Sequence, residues 1–284
     1  MTNTFPSLVS TQWLAENLGN PELVVIDASR HLPAANRDAH AEYEKAHIPG
    51  ARFLDLASLT DTASPVPAAM PSARQLANRL DDLGITSSSK IVLYDDSDVK
   101  TSARAWFILV SHGIDSAAIL DGGFGKWRTE NRPVERVSAK FVPIKTDRIL
   151  AVKRVASKAE VLANVDRPVH QVLDARSAER VFGAGTDPVH GGENGRIPGS
   201  LNLPFGAVFA EDGTYKSPDD LRAAFEAAGI DLSRPVITSC GSGVTASVLL
   251  FALNLIGKHD TALYDGSWME WSADPETPKE QGPA

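Results

Sequence analysis

Cys240 is the only cysteine of the chain, and its neighbours suit it to chemistry. The β-branched run Pro235-Val236-Ile237-Thr238-Ser239 leads into it, Gly241-Ser242-Gly243 follows, and from Val244 to Leu255 the chain is apolar with helical spacing. That order predicts strand, loop, helix. Such a loop turns the N–H groups of about Gly241 to Thr245 toward one centre, at the positive end of the helix beginning near Val244. Partial charges that hold a bound anion there also favour a thiolate. Cys240 is therefore a candidate nucleophile, with the backbone of Gly241, Gly243, Val244 and Thr245 as candidate anion-binding groups. The hydroxyls of Ser242 and Thr245 are candidate hydrogen-bond donors, although a serine at 242 could equally cap the following helix. A lone cysteine is more often a small apolar filler. Two glycines directly behind it, which remove side chains that would block the amides, set this one apart.

The elements that must position this loop lie in a chain of 284 residues, long for one domain and comfortable for two. With 43% hydrophobic and 23% charged residues the composition is that of a globular protein, and a net charge of −8 argues against nucleic acid or an anionic membrane as partner. An anionic substrate must then be held by a local positive site. No apolar run approaches membrane-spanning length, and Met1 to Pro6 lack the basic and apolar regions of a signal peptide, so the chain reads as soluble and cytoplasmic. One cysteine makes no internal disulfide, and the seven histidines do not join it at zinc-ligand spacing. No metal or cofactor is called for.

Strand-like runs alternate with helical ones from Ser7 onward, which predicts a parallel sheet in an α/β fold. Ser7–Leu18 reads as a helix, Leu23–Asp27 as a strand, Ala28–Glu42 as irregular, Ser72–Leu83 as a helix closed by Gly84, and Ile91–Tyr94 as a strand. Thr101–His112 is a helix and Ala118–Leu120 a strand. The order then returns. Val172-Leu173-Asp174-Ala175-Arg176 answers Val25-Ile26-Asp27-Ala28-Ser29, and Arg196-Ile197-Pro198-Gly199 answers His47-Ile48-Pro49-Gly50. Asp265-Gly266-Ser267-Trp268 answers Asp121-Gly122-Gly123-Phe124, so the halves are offset by 144 to 149 residues. This is a duplicated domain, with a first copy over 1–140, a linker over 141–156, a second copy over 157–273 and a loosely held tail over 274–284. Taking the smallest offset, Asp96 stands where the second copy has Cys240. The first copy then lacks a sulfur nucleophile and has an acidic loop.

These residues resemble the two-domain rhodanese-like sulfurtransferases over nearly the whole chain. The resemblance rests on the two Asp-Ala strands, both Ile-Pro-Gly turns, Ser102-Ala103-Arg104-Ala105-Trp106, Asp265-Gly266-Ser267-Trp268 and an inactive first domain. It implies two tandem rhodanese-like domains, each a mainly parallel sheet flanked by helices. Cys240-Gly241-Ser242-Gly243-Val244-Thr245-Ala246 is similar to the loop of the 3-mercaptopyruvate-using members, whereas thiosulfate-preferring members carry an arginine and a lysine where this chain has Gly241 and Ser242. A dianion gains from such added charge, while one carboxylate and a ketone suit a neutral loop with one arginine. The resemblance assigns Arg180 to the substrate carboxylate and leaves Arg176 and Arg104 to the scaffold. It also marks departures. No second arginine occurs from Thr186 to Gly195, which holds His190 and two adjacent glycines. Arg196 takes the place of a turn histidine, and Ala57 and Ala68 stand where some members have an auxiliary acid and histidine.

The implied reaction is sulfur transfer from a small anionic donor, 3-mercaptopyruvate, through a Cys240 persulfide to a thiol such as thioredoxin or a small thiol, or to cyanide, with release of pyruvate. The alternatives are thiosulfate as the better donor, and a persulfide carrier with little turnover of its own. A cysteine phosphatase would need an arginine six positions after the cysteine, where this chain has Ala246.

Overall fold

The computed structural model describes residues 5–136, 141–146, 148 and 150–282. Residues 1–4 and 137–140 of the first expected domain, 147 and 149 of the expected linker, and 283–284 of the expected tail lie outside the described residues. The chain divides into two compact units: Met1–Asp61, Met70–Lys153 and Ala210–Tyr215 in one, Thr62–Ala69, Arg154–Phe209 and Lys216–Ala284 in the other. Two short segments thus group with the unit that sequence order alone would not give them.

The first unit runs β1 (Leu8–Val9), α1 (Thr11–Asn17), β2 (Leu23–Asp27), α2 (Ala39–Lys45), β3 (Arg52–Phe53), α3 (Ala73–Asp82), β4 (Lys90–Tyr94), α4 (Ser102–Ser111), β5 (Ala117–Leu120) and α5 (Gly123–Thr129). Its sheet has the order β1-β5-β4-β2-β3 with every pairing parallel. The second runs β6 (Val155–Ala156), α6 (Lys158–Asp166), β7 (Gln171–Asp174), α7 (Ala178–Phe182), β8 (Leu201–Asn202), α8 (Pro218–Ala227), β9 (Val236–Ser239), α9 (Val244–Leu255), β10 (Thr261–Tyr264) and α10 (Ser267–Ala273). The order β6-β10-β9-β7-β8, again all parallel, repeats the first. The central strands are buried along nearly their whole length, as in a parallel sheet covered by helices. Among the described residues, no helix is long and apolar enough to cross a membrane.

Local signals decide where helices start. Ser72 accepts the Gln75 N–H at 3.2 Å and opens α3 as expected. α1 starts later than expected, with Ser10 accepting the Trp13 N–H at 3.1 Å, because Leu8 and Val9 are drawn into the sheet beside Ile119 and Leu120. The reading of Ala28–Glu42 as irregular missed the start of α2, which Asp38 caps at 3.0 Å to the Ala41 N–H and whose Tyr43 is buried.

The C-terminal segment corrects the expectation of a loose tail. Glu280 and Arg196 exchange both backbone hydrogen bonds, at 2.9 and 3.0 Å, and the Glu280 carboxylate accepts the Gly199 N–H at 3.0 Å. The first unit uses the same device, with Glu135 exchanging both bonds with His47 at 2.9 and 2.8 Å and accepting the Gly50 N–H at 2.9 Å. Fully buried Trp127 and Trp271 explain the need, since each indole N–H requires an acceptor. The segment that follows supplies it, through the carbonyl of Pro133 at 2.7 Å and of Pro278 at 2.8 Å.

Strand register also corrects the alignment of the copies. Tyr94 lies opposite Asp27 as Ser239 lies opposite Asp174, so the residues that follow, Asp95 and Cys240, are equivalent. Phe124 N–H donates to the Asp95 carbonyl at 3.0 Å and Trp268 N–H to the Cys240 carbonyl at 2.9 Å, which fixes the same match. Asp96 is one residue beyond. The offset taken from the Asp-Gly turns fails here because the loop from Asp95 to α4 is longer than that from Cys240 to α9.

The two strand-end aspartates differ in their partners. Asp174 receives the Arg176 guanidinium at 2.7 Å, whereas Asp27 has only Ser29 in that place. Burial pushes the Asp27 carboxyl up from 3.8 to about 6, against the hydrogen bonds from Ser29 and Tyr94. The folded protein therefore binds a proton here that the unfolded chain has released. Stability from this group is present below pH 3.8 and is lost as pH rises through about 6. Asp27→Asn is expected to gain ~2–3 kcal/mol over the parent above pH 7 and nothing at pH ~4. Urea unfolding across that range checks it, and parallel pH curves for the two proteins would contradict it.

Candidate active site

β9 is buried along its length and delivers Cys240 to the mouth of the loop, where the residue is 2% exposed. Behind it, α9 is buried from Ala246 to Leu253, so its N-terminus is fixed rigidly at the loop. Gly243 precedes α9 at φ +77°, a conformation that a side chain disfavours, and no side chain caps the helix. Ser242 is thus not the cap, and its hydroxyl, like that of Thr245, is half-buried and makes no hydrogen bond among the described residues.

The start of α10 sets the direction of the loop amides. Trp268 and Met269 donate their N–H groups to the carbonyls of Cys240 and Gly241 at 2.9 and 3.0 Å. In a trans peptide the C=O and N–H point oppositely, so the N–H groups of Gly241 and Ser242 face away from α10. Among the described residues, no protein acceptor takes the N–H of Gly241, Ser242, Gly243, Val244 or Thr245. A row of open donors at the positive end of a twelve-residue helix is an anion cradle. The Cys240 N–H is itself spent on the Ser267 hydroxyl at 3.2 Å, which in turn donates to the Tyr264 carbonyl at 2.8 Å.

Arg180, on α7, reaches this loop. Its Nε and Nη2 both donate to one oxygen of Asp187, at 3.0 and 2.7 Å, and its side chain keeps 16% exposure while that of Asp187 has none. The other Asp187 oxygen accepts the N–H groups of Val189 and His190 at 2.8 and 3.2 Å. Burial pushes the Asp187 carboxyl up, but Arg180 and these amides more than offset it, and the group stays below its ordinary value. A Cβ added at Gly241 would lie 2.1 Å from His190 Nε2 and 3.2 Å from Arg180 Nη2. Arg180 and His190 therefore both flank the residue after the cysteine. Burial, then the charges of Arg180 and Arg176, hold the His190 imidazole below its usual value against the pull of Asp187, so it is neutral at pH 7.

The remaining arginines are engaged elsewhere. Arg176, fully buried, pairs with Asp174, donates to the Gly195 carbonyl at 2.6 Å and stacks 4.8 Å over the Trp268 ring, as a scaffold residue would. Arg196 is committed to Glu280 at 2.7 Å and to the Gly282 carbonyl. Among the described residues, no three His, Cys, Asp or Glu side chains are grouped as a metal site would need.

In the equivalent loop of the first unit, amides are taken by the loop's own aspartate. Both carboxylate oxygens of Asp95 take loop amides, those of Ser97 and Ser102, each at 2.8 Å. Asp96 beside it is paired with Arg37 at 3.1 Å and Arg128 at 3.0 Å. A carboxylate fills the cradle that stays open in the second unit.

A duplicated sheet of this order, with a single cysteine-bearing anion cradle in its second copy, defines the class. The chain belongs to the rhodanese-like family, whose domain pattern matches residues 10–130 and 157–274. It is 39% identical over 273 residues to 3-mercaptopyruvate sulfurtransferase of Mus musculus, covering 94% of this chain and 92% of that one. It is 38% identical over 287 residues to thiosulfate sulfurtransferase of Bos taurus, covering 98% and 96%. The crystal structure of SseA, a 3-mercaptopyruvate sulfotransferase of Escherichia coli, superposes with a TM-score of 0.83 at 33% identity, covering 92% of this chain and 98% of that one.

Asp187 and His190 were not singled out as site residues from sequence. Their signal was an acid and a histidine three apart in a segment bracketed by Gly185, Gly191 and Gly192, which marks a sharply turned loop but not its target.

Proposed function

We propose that the chain is a sulfurtransferase that takes sulfur from 3-mercaptopyruvate on Cys240 and passes it to a thiol or cyanide. The Cys240 thiolate attacks the thiol sulfur of the donor. An S–S bond forms, the C3–S bond breaks, and its electron pair leaves on C3 as the enolate of pyruvate, which takes up a proton. The enzyme is left as a Cys240 persulfide. An acceptor thiolate then attacks the outer sulfur and releases the Cys240 thiolate, giving ping-pong kinetics. The open amides from Gly241 to Thr245 stabilise the sulfur anion in both half-reactions, Arg180 holds the donor carboxylate, and the Ser242 and Thr245 hydroxyls add donors at the rim.

Identity alone does not choose the donor, since relatives named for mercaptopyruvate and for thiosulfate are almost equally similar. The observation that favours mercaptopyruvate is the loop itself: Gly241 and Ser242 bring no positive charge, and the guanidinium beside Gly241 belongs to Arg180. A thiosulfate dianion lacks the extra charge-assisted bonds, each worth ~1.5–3 kcal/mol.

Initial rates test this. Pyruvate release from 3-mercaptopyruvate with a reducing thiol is expected to exceed thiocyanate formation from thiosulfate and cyanide by at least ~10-fold in kcat/KM. Faster thiocyanate formation would assign thiosulfate as donor, the direction that Ala57 and Ala68 in place of an auxiliary acid and histidine would favour. A stable persulfide with turnover of neither donor would make the chain a carrier.

A further inference from the structure

His190 occupies the space in which a side chain at position 241 would have to sit. The 2.1 Å from its Nε2 to a Cβ built on Gly241 is far inside any real contact, and Cδ2 is as close at 2.3 Å. The ring is held there through its own backbone, whose N–H is bonded to buried Asp187, the same carboxylate that aims Arg180. Neither ring nitrogen has a hydrogen-bond partner among the described residues. A half-buried imidazole, unbonded and set between an arginine and an open row of amides, lacks the satisfied contacts of a structural histidine.

We propose that His190 is a substrate-binding and specificity-determining residue: its ring fills the space that glycine leaves at position 241, from which a side chain there would displace it, and its Nε2–H binds the donor carboxylate beside Arg180. This rests on the mercaptopyruvate reading above and adds how that preference is built. A neutral imidazole contributes one directional donor, which matches the single carboxylate of a 2-oxo-3-thio acid. A fixed second cation would favour a dianion instead. The glycine at 241 and the histidine at 190 form one device, although 51 residues separate them.

The test is a double-mutant cycle read with both donors. His190→Ala is expected to raise KM for 3-mercaptopyruvate ~10-fold with kcat changed less than ~3-fold, since one hydrogen bond to a charged group is lost. His190→Gln, which keeps a neutral donor, should recover most of that loss. Thiosulfate turnover should change little. Gly241→Ala forces the ring out, so it should reproduce the His190→Ala KM and have no further effect in the His190→Ala background, a fully non-additive pair. Melting temperatures of the His190 variants should match the parent, because the ring makes no hydrogen bond there. A His190→Ala enzyme with KM for mercaptopyruvate within twofold of the parent, or additive effects of the two substitutions, overturns the proposal and leaves the donor assignment standing. A parent enzyme that releases no pyruvate from mercaptopyruvate overturns the donor assignment first, and this inference with it.

Discussion

Cys240→Ser is expected to abolish sulfur transfer, lowering kcat/KM with either donor by ~10⁴-fold or more. The serine oxygen occupies nearly the same place. The backbone bond from residue 240 to the Ser267 hydroxyl and the bond from Trp268 to its carbonyl need no sulfur and persist. What is lost is an atom that attacks sulfur and survives as a persulfide. A serine hydroxyl in the same place is a far weaker nucleophile toward sulfur than a cysteine. Stability should fall by no more than ~2 kcal/mol, the order of cost of burying a hydroxyl in place of a thiol. Steady-state pyruvate assays together with urea unfolding separate the two effects. A serine variant retaining a tenth of parental turnover would remove Cys240 from the mechanism.

Asp187→Ala should be the most damaging change outside the loop. Its carboxylate accepts two bonds from Arg180 and the backbone N–H groups of Val189 and His190, and lies 3.6 Å from Nη1 of buried Arg176. Alanine leaves Arg180 without its anchor and Arg176 Nη1, which already lacks a hydrogen-bond partner, with no nearby counter-charge from this side. Breaking a buried ion pair from one end costs ~3–5 kcal/mol. Losing the orientation of Arg180 and His190 should lower kcat/KM for 3-mercaptopyruvate by a further ~100-fold. Asp187→Asn still accepts the two backbone amides and is expected to fall between parent and alanine in both stability and kcat/KM. Chemical unfolding and kinetics on the same preparations check this, and an alanine variant within ~1 kcal/mol and threefold of the parent would contradict it.

The sequence was most informative where chemistry is local. Cysteine, glycine and helix start follow within five residues, so the loop could be placed before any coordinates, and α9 begins at Val244 as expected. The duplication was legible because buried Asp-Ala strand ends and Ile-Pro-Gly turns are fixed by backbone needs that both copies share. What failed was arithmetic across loops of unequal length. Asp96 was matched to Cys240, but sheet register, which ignores loop length, selects Asp95. The C-terminal segment reads as polar tail because its partners, Arg196 and Gly199, lie some eighty residues earlier. Arg180 was reached only through resemblance. His190 was noted in passing and Asp187 not at all, since a contact between residues 190 and 241 leaves no periodic trace in a polar, glycine-rich segment.

The account depends on Cys240 carrying the transferred sulfur within open main-chain donors. The most direct measurement is mass spectrometry of the protein after 3-mercaptopyruvate is added without acceptor, with pyruvate counted in the same sample. One extra sulfur per chain, located on the Cys240 peptide and released stoichiometrically by an added thiol, with one pyruvate formed per sulfur, is the predicted result. Pyruvate formed with no added mass at Cys240 would contradict it.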